Sequence, residues 1–336
     1  MLKTKYKEVL ILINLNKILC PVDLTKNSMD ALVFAHNLAG RYRASLTVIH
    51  VLENPHMDIP GGETGAFSFG ELVDLYREEK EEEIIDVLQH DKALAVNLDI
   101  VFKEGVPYDK IAKFARESQT DMIIMLASNE TGLEYVLGHT TERVIRLSPC
   151  PVLSVHVPSE SQNGEKIRSM HEIVEPGEDE KRKILLPTDF SEYSRLAADY
   201  AISLAQEYGA EIEVLHVMER VAEFSAMSGS EVPSYGVVTV YYDDLSKSVQ
   251  KLTDEICTRI DEHDIEVSSR IITGNARHEI VEIAKTEDID LITIGTHGRK
   301  GLSRLIHGSV AEAVVRNAPC SVLSVKKPEH DFVKVD

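Results

Sequence analysis

The residues best suited to chemistry lie late in the chain. Gly295-Thr296-His297-Gly298 is followed by nine residues and then Gly308-Ser309. The apolar run before this stretch, Asp290 to Ile294, reads as a buried strand ending in a glycine turn. The run after it, Val310 to Arg316, reads as a helix. Ser309 and Glu312 have capping-box spacing, which predicts a helix starting at Ser309. A glycine loop feeding a helix N-terminus offers unpaired N–H groups and the positive end of the helix dipole, an arrangement that suits a phosphate. His297 is either an N–H donor to that phosphate or a solvated turn residue. Arg299, with Lys300 beside it, is either the nearest cation pair or an exposed basic turn.

The elements that must position this loop come from an internal repeat of about 165 to 170 residues. Lys17-Ile18-Leu19-Cys20-Pro21-Val22-Asp23 returns as Lys183-Ile184-Leu185-Leu186-Pro187-Thr188-Asp189, and Ile49-His50-Val51 returns as Leu215-His216-Val217. Pro149 to Val155 returns as Pro319 to Val325. The order is collinear, as in a tandem duplication. In the second copy strands are expected at about 183–188, 211–217, 266–272, 290–295 and 321–326. Between them Leu196, Tyr200 and Leu204 share one helical face, as do Ile280, Ile283 and Ala284. Short apolar strands alternating with helices predict an α/β fold of two tandem doubly wound domains, each a parallel sheet with helices on both faces. Ligands of such sheets bind at the carboxyl ends of the strands, near a switch point.

The expected organisation is an N-terminal extension (1–16), a first domain (17–157), a linker (158–182), a second domain (183–327) and a tail (328–336). The linker is rich in Ser, Glu, Gly and Asp. Irregular insertions, Glu53–Gly70 and Glu219–Val240, follow the second strand of each copy and read as lids, partner surfaces or variable connections. The apolar run Val9–Ile13 is too short for a signal or membrane segment.

The net charge of -20, from 36 basic and 56 acidic residues, argues against nucleic acid or an anionic membrane as partner. Any phosphate must be held by local geometry. Cys20, Cys150, Cys257 and Cys320 form no CxxC or metal spacing, and core thiols in a reducing cytosol are expected. There is no Walker A sequence, zinc spacing or nucleophile elbow, so no catalytic or metal-ligating residue is assigned and the chain is not expected to be an enzyme. Slow nucleotide hydrolysis within a phosphate site is left open. A nucleotidyl-transferring relative on the same α/β scaffold is a further rival that fold alone does not exclude, although no basic or His-rich phosphate-transfer signature is present.

The Pro-Thr-Asp-Phe-Ser segment after a strand, the Leu-His-Val strand end and Gly-Thr-His-Gly-x9-Gly-Ser together resemble the universal stress protein family, and both halves carry the resemblance. It implies a five-stranded parallel sheet of order 3-2-1-4-5 in each half and, in one branch of the family, binding of ATP with accompanying Mg2+. Carried onto this chain, Pro187, Thr188, Asp189 and Val217 would hold the adenine or ribose end. Gly295, Thr296, His297, Gly298, Arg299, Gly308, Ser309 and Val310 would line the ribose and phosphates. Asp189 is alternatively a helix cap, and His50 and His216 read as packing residues. The resemblance further implies that the final strands, Val152–Val155 and Val322–Val325, pair into an intramolecular pseudo-dimer, with a homodimer as a further expectation. The implied role is a cytoplasmic ATP-binding stress or regulatory protein. The alternative is an interaction or scaffold protein that does not use nucleotide.

The first copy departs from the motif. Leu126 stands where Gly295 does, Asn129 where Gly298 does and His139 where Ser309 does, and Glu130 adds negative charge. Asp23, Pro21 and Val51 survive. A side chain at the first glycine should block close backbone approach, so the first copy reads as a degenerate site.

Overall fold

The computed structural model describes residues 13–53, 69–89, 96–127, 137–156, 182–218, 235–259, 265–296 and 308–327. The linker, most of both insertions and the tail lie outside these residues. The first half runs β1 (Lys17–Val22), α1 (Lys26–Tyr42), β2 (Ser45–Leu52), α2 (Phe69–Gln89), β3 (Leu98–Glu104), α3 (Pro107–Ser118), β4 (Met122–Leu126), α4 (His139–Leu147) and β5 (Val152–Val155). The second half repeats the order: β6 (Arg182–Pro187), α5 (Glu192–Tyr208), β7 (Ala210–Met218), α6 (Tyr235–Arg259), β8 (Val267–Thr273), α7 (Ala276–Thr286), β9 (Leu291–Gly295), α8 (Ser309–Asn317) and β10 (Ser321–Val325). The expectation for the second insertion needs correction. The second insertion is not irregular to its end, because the backbone is already helical from Tyr235. Its β-branched residues at 237–240 weigh against a helix locally, and the long helix that follows overrides that preference.

The strands form one sheet in the order β3-β2-β1-β4-β5-β10-β9-β6-β7-β8. Within each half this is the order 3-2-1-4-5, all parallel. The central strands are near-continuous apolar runs, as β4 (MIIML) shows, because helices cover both of their faces. One apolar core lies under α1, α2, α5 and α6, and a second, on the other face, lies under α3, α4, α7 and α8. Both cores run through both halves. Tyr200 and Leu204 are buried in the first core, with Leu196 packed against it. Ile280, Ile283 and Ala284 are buried in the second.

The halves meet where β5 and β10 pair antiparallel, Val152 opposite Ser324, Leu153 opposite Leu323 and Ser154 opposite Val322. The Ser154 hydroxyl donates to Val322 O at 3.0 Å, and the His156 N–H donates to Ser321 Oγ at 3.1 Å. On one face Tyr42 Oη lies 3.1 Å from Ser203 Oγ, and Arg41 pairs with Glu207 at 3.1 Å while its guanidinium sits 5.0 Å over the Tyr208 ring. On the other face Arg316 pairs with Glu142 at 3.1 Å. The two repeats therefore form a pseudo-dimer within one chain.

Ile13 and Leu15, at the end of the N-terminal extension, are buried in the first core. Their segment is tied down by Asp121, whose Oδ2 accepts from the Asn16 and Lys17 N–H groups at 2.7 and 2.8 Å. Cys20, Cys150 and Cys320 are buried, and burial pushes the Cys20 and Cys320 thiols well above their ordinary range. Cys257, on α6, departs from the core-thiol expectation and is exposed. Among the described residues no helix is long and apolar enough to cross a membrane.

His156 gives this architecture a pH signature. It follows β5, is 5% exposed, and its burial pushes the imidazole from 6.5 down to about 4. Above pH 6.5 folded and unfolded chains both hold it neutral. Between 6.5 and 4 the unfolded chain binds a proton that the folded chain refuses, so stability falls as pH falls through that window, by about 3 kcal/mol in all. Urea unfolding at pH 7 and pH 4.5 should show a smaller loss on acidification in His156→Gln than in the unaltered chain. Equal losses would refute the assignment.

Candidate functional site

The C-terminal end of β6 leads into Thr188, Asp189, Phe190 and Ser191 before α5 begins. Hydrogen bonds fix every step of this turn. The Thr188 N–H still donates to Leu215 O at 2.8 Å, and its buried hydroxyl lies 3.2 Å from Ser194 Oγ and accepts from the Phe190 N–H at 3.1 Å. Asp189, half-buried, accepts the Ser191 N–H on Oδ1 at 3.0 Å. Ser191 is the N-cap of α5, its Oγ accepting from the Ser194 N–H at 3.2 Å. Asp189 is thus not the helix cap, and the carboxylate braces the turn beside it. Phe190 has φ 62°, a left-handed conformation costly for a residue with a side chain. Its ring lies 4.9 Å from that of His216. His216, buried, holds the Thr188 carbonyl with Nδ1 at 2.7 Å, so Nδ1 carries the proton. It is the packing residue expected of it.

β6 is hydrogen-bonded to β7 on one side and β9 on the other. Pro187, Thr188, Asp189, Val217 and Gly295 are thereby gathered at one rim of the sheet. Val217 is half-buried in β7, with Ile272 as strand partner, and Pro187 is buried opposite Leu215. The space around Gly295 has a different owner from the one expected. A Cβ there would lie 2.8 Å from the Tyr193 carbonyl carbon, 2.9 Å from its oxygen and 3.0 Å from Ser194 N. The glycine lets the first turn of α5 close onto β9, which is a requirement of the fold rather than room for a ligand. Thr296 is buried, with both its N–H (2.8 Å) and its hydroxyl (3.2 Å) on Val325 O. Its carbonyl receives the Gly308 N–H at 2.6 Å. This pair closes the base of the loop, whose His297, Gly298 and Arg299 lie outside the described residues.

The helix α8 starts at Ser309 as expected, but the capping box does not form. The N-cap of α8 is Gly308, and no side chain caps the helix. Ser309 is then the first helical residue and Glu312 the fourth, one place too far along for a capping box. Glu312 instead pairs with Arg316 at 3.3 Å. Among the described residues the N-terminus of α8, like that of α4, has no side-chain cap, with Ser309 exposed and Val310 half-buried against the second core.

The first half shares the scaffold and differs at this spot. The Ala127 N–H donates to Val155 O at 2.9 Å, and the Gly138 N–H to Ala127 O at 3.0 Å, so the loop base is the same. Asp23 accepts from the Thr25 N–H (3.1 Å) and hydroxyl (2.6 Å), and Leu24 repeats the left-handed turn at φ 65°. His50 Nδ1 holds Val22 O at 2.9 Å. Thr141, at the position of Ala311, sends its hydroxyl to Leu126 O at 2.9 Å. Arg143 Nε donates to His139 Nε2 at 3.0 Å while its guanidinium lies 4.8 Å over the Tyr108 ring. Side chains that engage their surroundings therefore cluster at the N-terminus of α4, where among the described residues the second half has Ser309 in place of His139 and Ala311 in place of Thr141. Asn129 and Glu130 lie outside the described residues.

Compared with known proteins, residues 14–156 and again residues 181–326 match the Universal stress protein family. The chain belongs to this family. Universal stress protein MJ0531 of Methanocaldococcus jannaschii is 35% identical over 162 residues, which span 48% of this chain and 92% of that relative. Universal stress protein YxiE of Bacillus subtilis is 30% identical over 145 residues, 43% of this chain and 98% of its own length. Each of these relatives thus corresponds to about one half. Over the whole architecture the fold is similar to the crystal structure of a universal stress protein from Archaeoglobus fulgidus, with a TM-score of 0.62 and 20% identity, covering 93% of this chain and 98% of that one.

Lys326 and Lys327, directly after β10, were missed by reading motifs alone. The repeat could have flagged them, since His156 and Val157 occupy the same positions in the first copy. Lys327 Nζ pairs with Glu192, the first residue of α5, at 3.2 Å. The tightness at Gly295 is open to test. Gly295→Ala should destabilise the chain by about 2 kcal/mol, because helix backbone yields less readily than a side-chain end. Urea unfolding within 0.5 kcal/mol of the unaltered chain, about the size of a neutral surface change, would show that α5 does not press on β9.

Proposed function

We propose that this universal stress protein is a stress-response regulator that binds one ATP per chain, in its second half. The observation that carries the reading is the different chemistry at the N-termini of α4 and α8, which begin at equivalent places in the two halves. Neither helix has a side-chain N-cap, but in the second half the α8 N-terminus carries the short Ser309 where α4 has His139, and it rises from the rim that holds Asp189, Pro187 and Val217. In the first half the matching rim is built over by His139, Arg143, Tyr108 and Thr141. An uncapped helix end favours an anion, and a carboxylate braced at the next strand end suits a sugar hydroxyl, to which it can only act as acceptor.

These residues fit ATP in the following roles. Pro187, Thr188, Asp189 and Val217 would form the adenine and ribose end. Gly295, Thr296, His297, Gly298, Arg299, Gly308, Ser309 and Val310 would form the ribose and phosphate end. The Thr188 side chain is turned inward and contributes by holding the turn, and Gly295 contributes by seating α5. No group of His, Cys, Asp or Glu among the described residues is arranged for a metal ion, so Mg2+ would arrive with the phosphates. The assigned role is binding, in a cytoplasmic protein, with a first domain (17–157) that supports a second (183–327) across the 158–182 linker. Association into a homodimer would use surfaces other than β5 and β10, which are already paired.

Isothermal titration with ATP should give one site per chain, and Asp189→Ala should weaken it about tenfold, the scale of one lost hydrogen bond to a charged group. Two equal sites would remove the distinction between the halves. Absence of binding, together with no nucleotide released on denaturing the purified protein, would favour an interaction protein that does not use ATP.

A further inference from the structure

We propose that Lys326 couples the two halves, tying the base of the second half's glycine loop to the last turn of α4 in the first half. The inference rests on the nucleotide reading above. Because β5 and β10 are antiparallel, the rim carrying the carboxyl ends of the second half's strands is the rim where β5 of the first half begins. The segment leading into β5 is the C-terminal end of α4, whose C-cap is Ser148. Lys326 Nζ donates to Ser148 O across this junction at 2.5 Å. The neighbouring residue on the same strand, Val325, accepts both the N–H and the hydroxyl of Thr296, where the loop leaves β9.

A four-residue path therefore runs from the loop through Thr296, Val325 and Lys326 to Ser148. A second tie lies on the same helix pair, since Arg316 of α8 reaches Glu142 of α4. The α4 carbonyl end, negative by its dipole, meets the cation. The first half lacks the counterpart, because the position of Lys326 is held there by His156, which burial keeps neutral at pH 7. The coupling has one direction of construction: the first half braces the second half's loop. By linkage, a ligand whose binding stabilises the rim at Thr296 and Val325 must also stabilise the last turn of α4.

Amide hydrogen exchange on the full chain, with and without saturating ATP, tests this directly. ATP should slow exchange in residues 144–148 several-fold, and this protection should vanish in Lys326→Met. The same variant should bind ATP about tenfold more weakly, and Lys326→Arg should restore both effects. Lys17→Met removes a comparable contact, Lys17 Nζ to Ser118 O at 2.9 Å in the first half, and should leave ATP affinity unchanged. If the unaltered chain takes up no ATP, the nucleotide reading falls and this inference with it. If it binds ATP but exchange in α4 is unmoved, or if Lys326→Met binds as well as the unaltered chain, only the coupling is overturned. The exchange experiment on the unaltered chain decides the matter even if Lys326→Met fails to fold.

Discussion

Everything else in this protein depends on the antiparallel pairing of β5 with β10. A doubly wound half ends in a short apolar strand, and such a strand left at a sheet edge exposes unpaired N–H and C=O groups beside an apolar surface. Here each half supplies the other's missing neighbour. The pairing makes one ten-stranded sheet and lets each apolar core continue through both halves. It also reverses the second half relative to the first, so that the carboxyl ends of the two sets of parallel strands lie at opposite rims.

Within that frame the two rims are built from the same parts. Each has an acidic residue followed by a left-handed residue, Asp23-Leu24 and Asp189-Phe190, and each has a histidine holding the carbonyl before that acid. Each has the same two backbone hydrogen bonds closing its fourth loop. The shared parts are scaffold, since they hold in both halves whatever the loop carries. What distinguishes the second half is a short list: Ser309 in place of His139, Ala311 in place of Thr141, Gly295 in place of Leu126 and Lys326 in place of His156.

Much of this was legible in the sequence. The alternation of apolar strands with helical periodicity, doubled by the repeat, placed the second half's strands to within a residue or so of their observed ends. The histidines at the ends of β2 and β7 read correctly as packing residues because a buried imidazole needs a backbone partner close at hand. Other features depend on contacts between distant segments, to which a motif is blind. Gly295 looks like part of a phosphate loop, yet the atoms that exclude a side chain there belong to Tyr193 and Ser194. Ser309 and Glu312 have the spacing of a capping box, but the helix starts one residue earlier than that box needs. The contact of Lys326 with Ser148 crosses 178 residues of chain. Only the antiparallel pairing of the halves brings them together.

Covalent joining of the two repeats has a consequence for how this assembly behaves on dilution. Two separate chains meeting through β5-like strands would come apart as their concentration fell, at a point set by their affinity. Here the partner arrives on the same chain at a fixed, high effective concentration. The paired state is therefore independent of how much protein is present. Joining also removes a constraint of symmetry. In a dimer of identical chains every substitution appears in both sites at once, whereas in this chain His139 and Ser309 are separate positions that can diverge while the shared sheet remains intact.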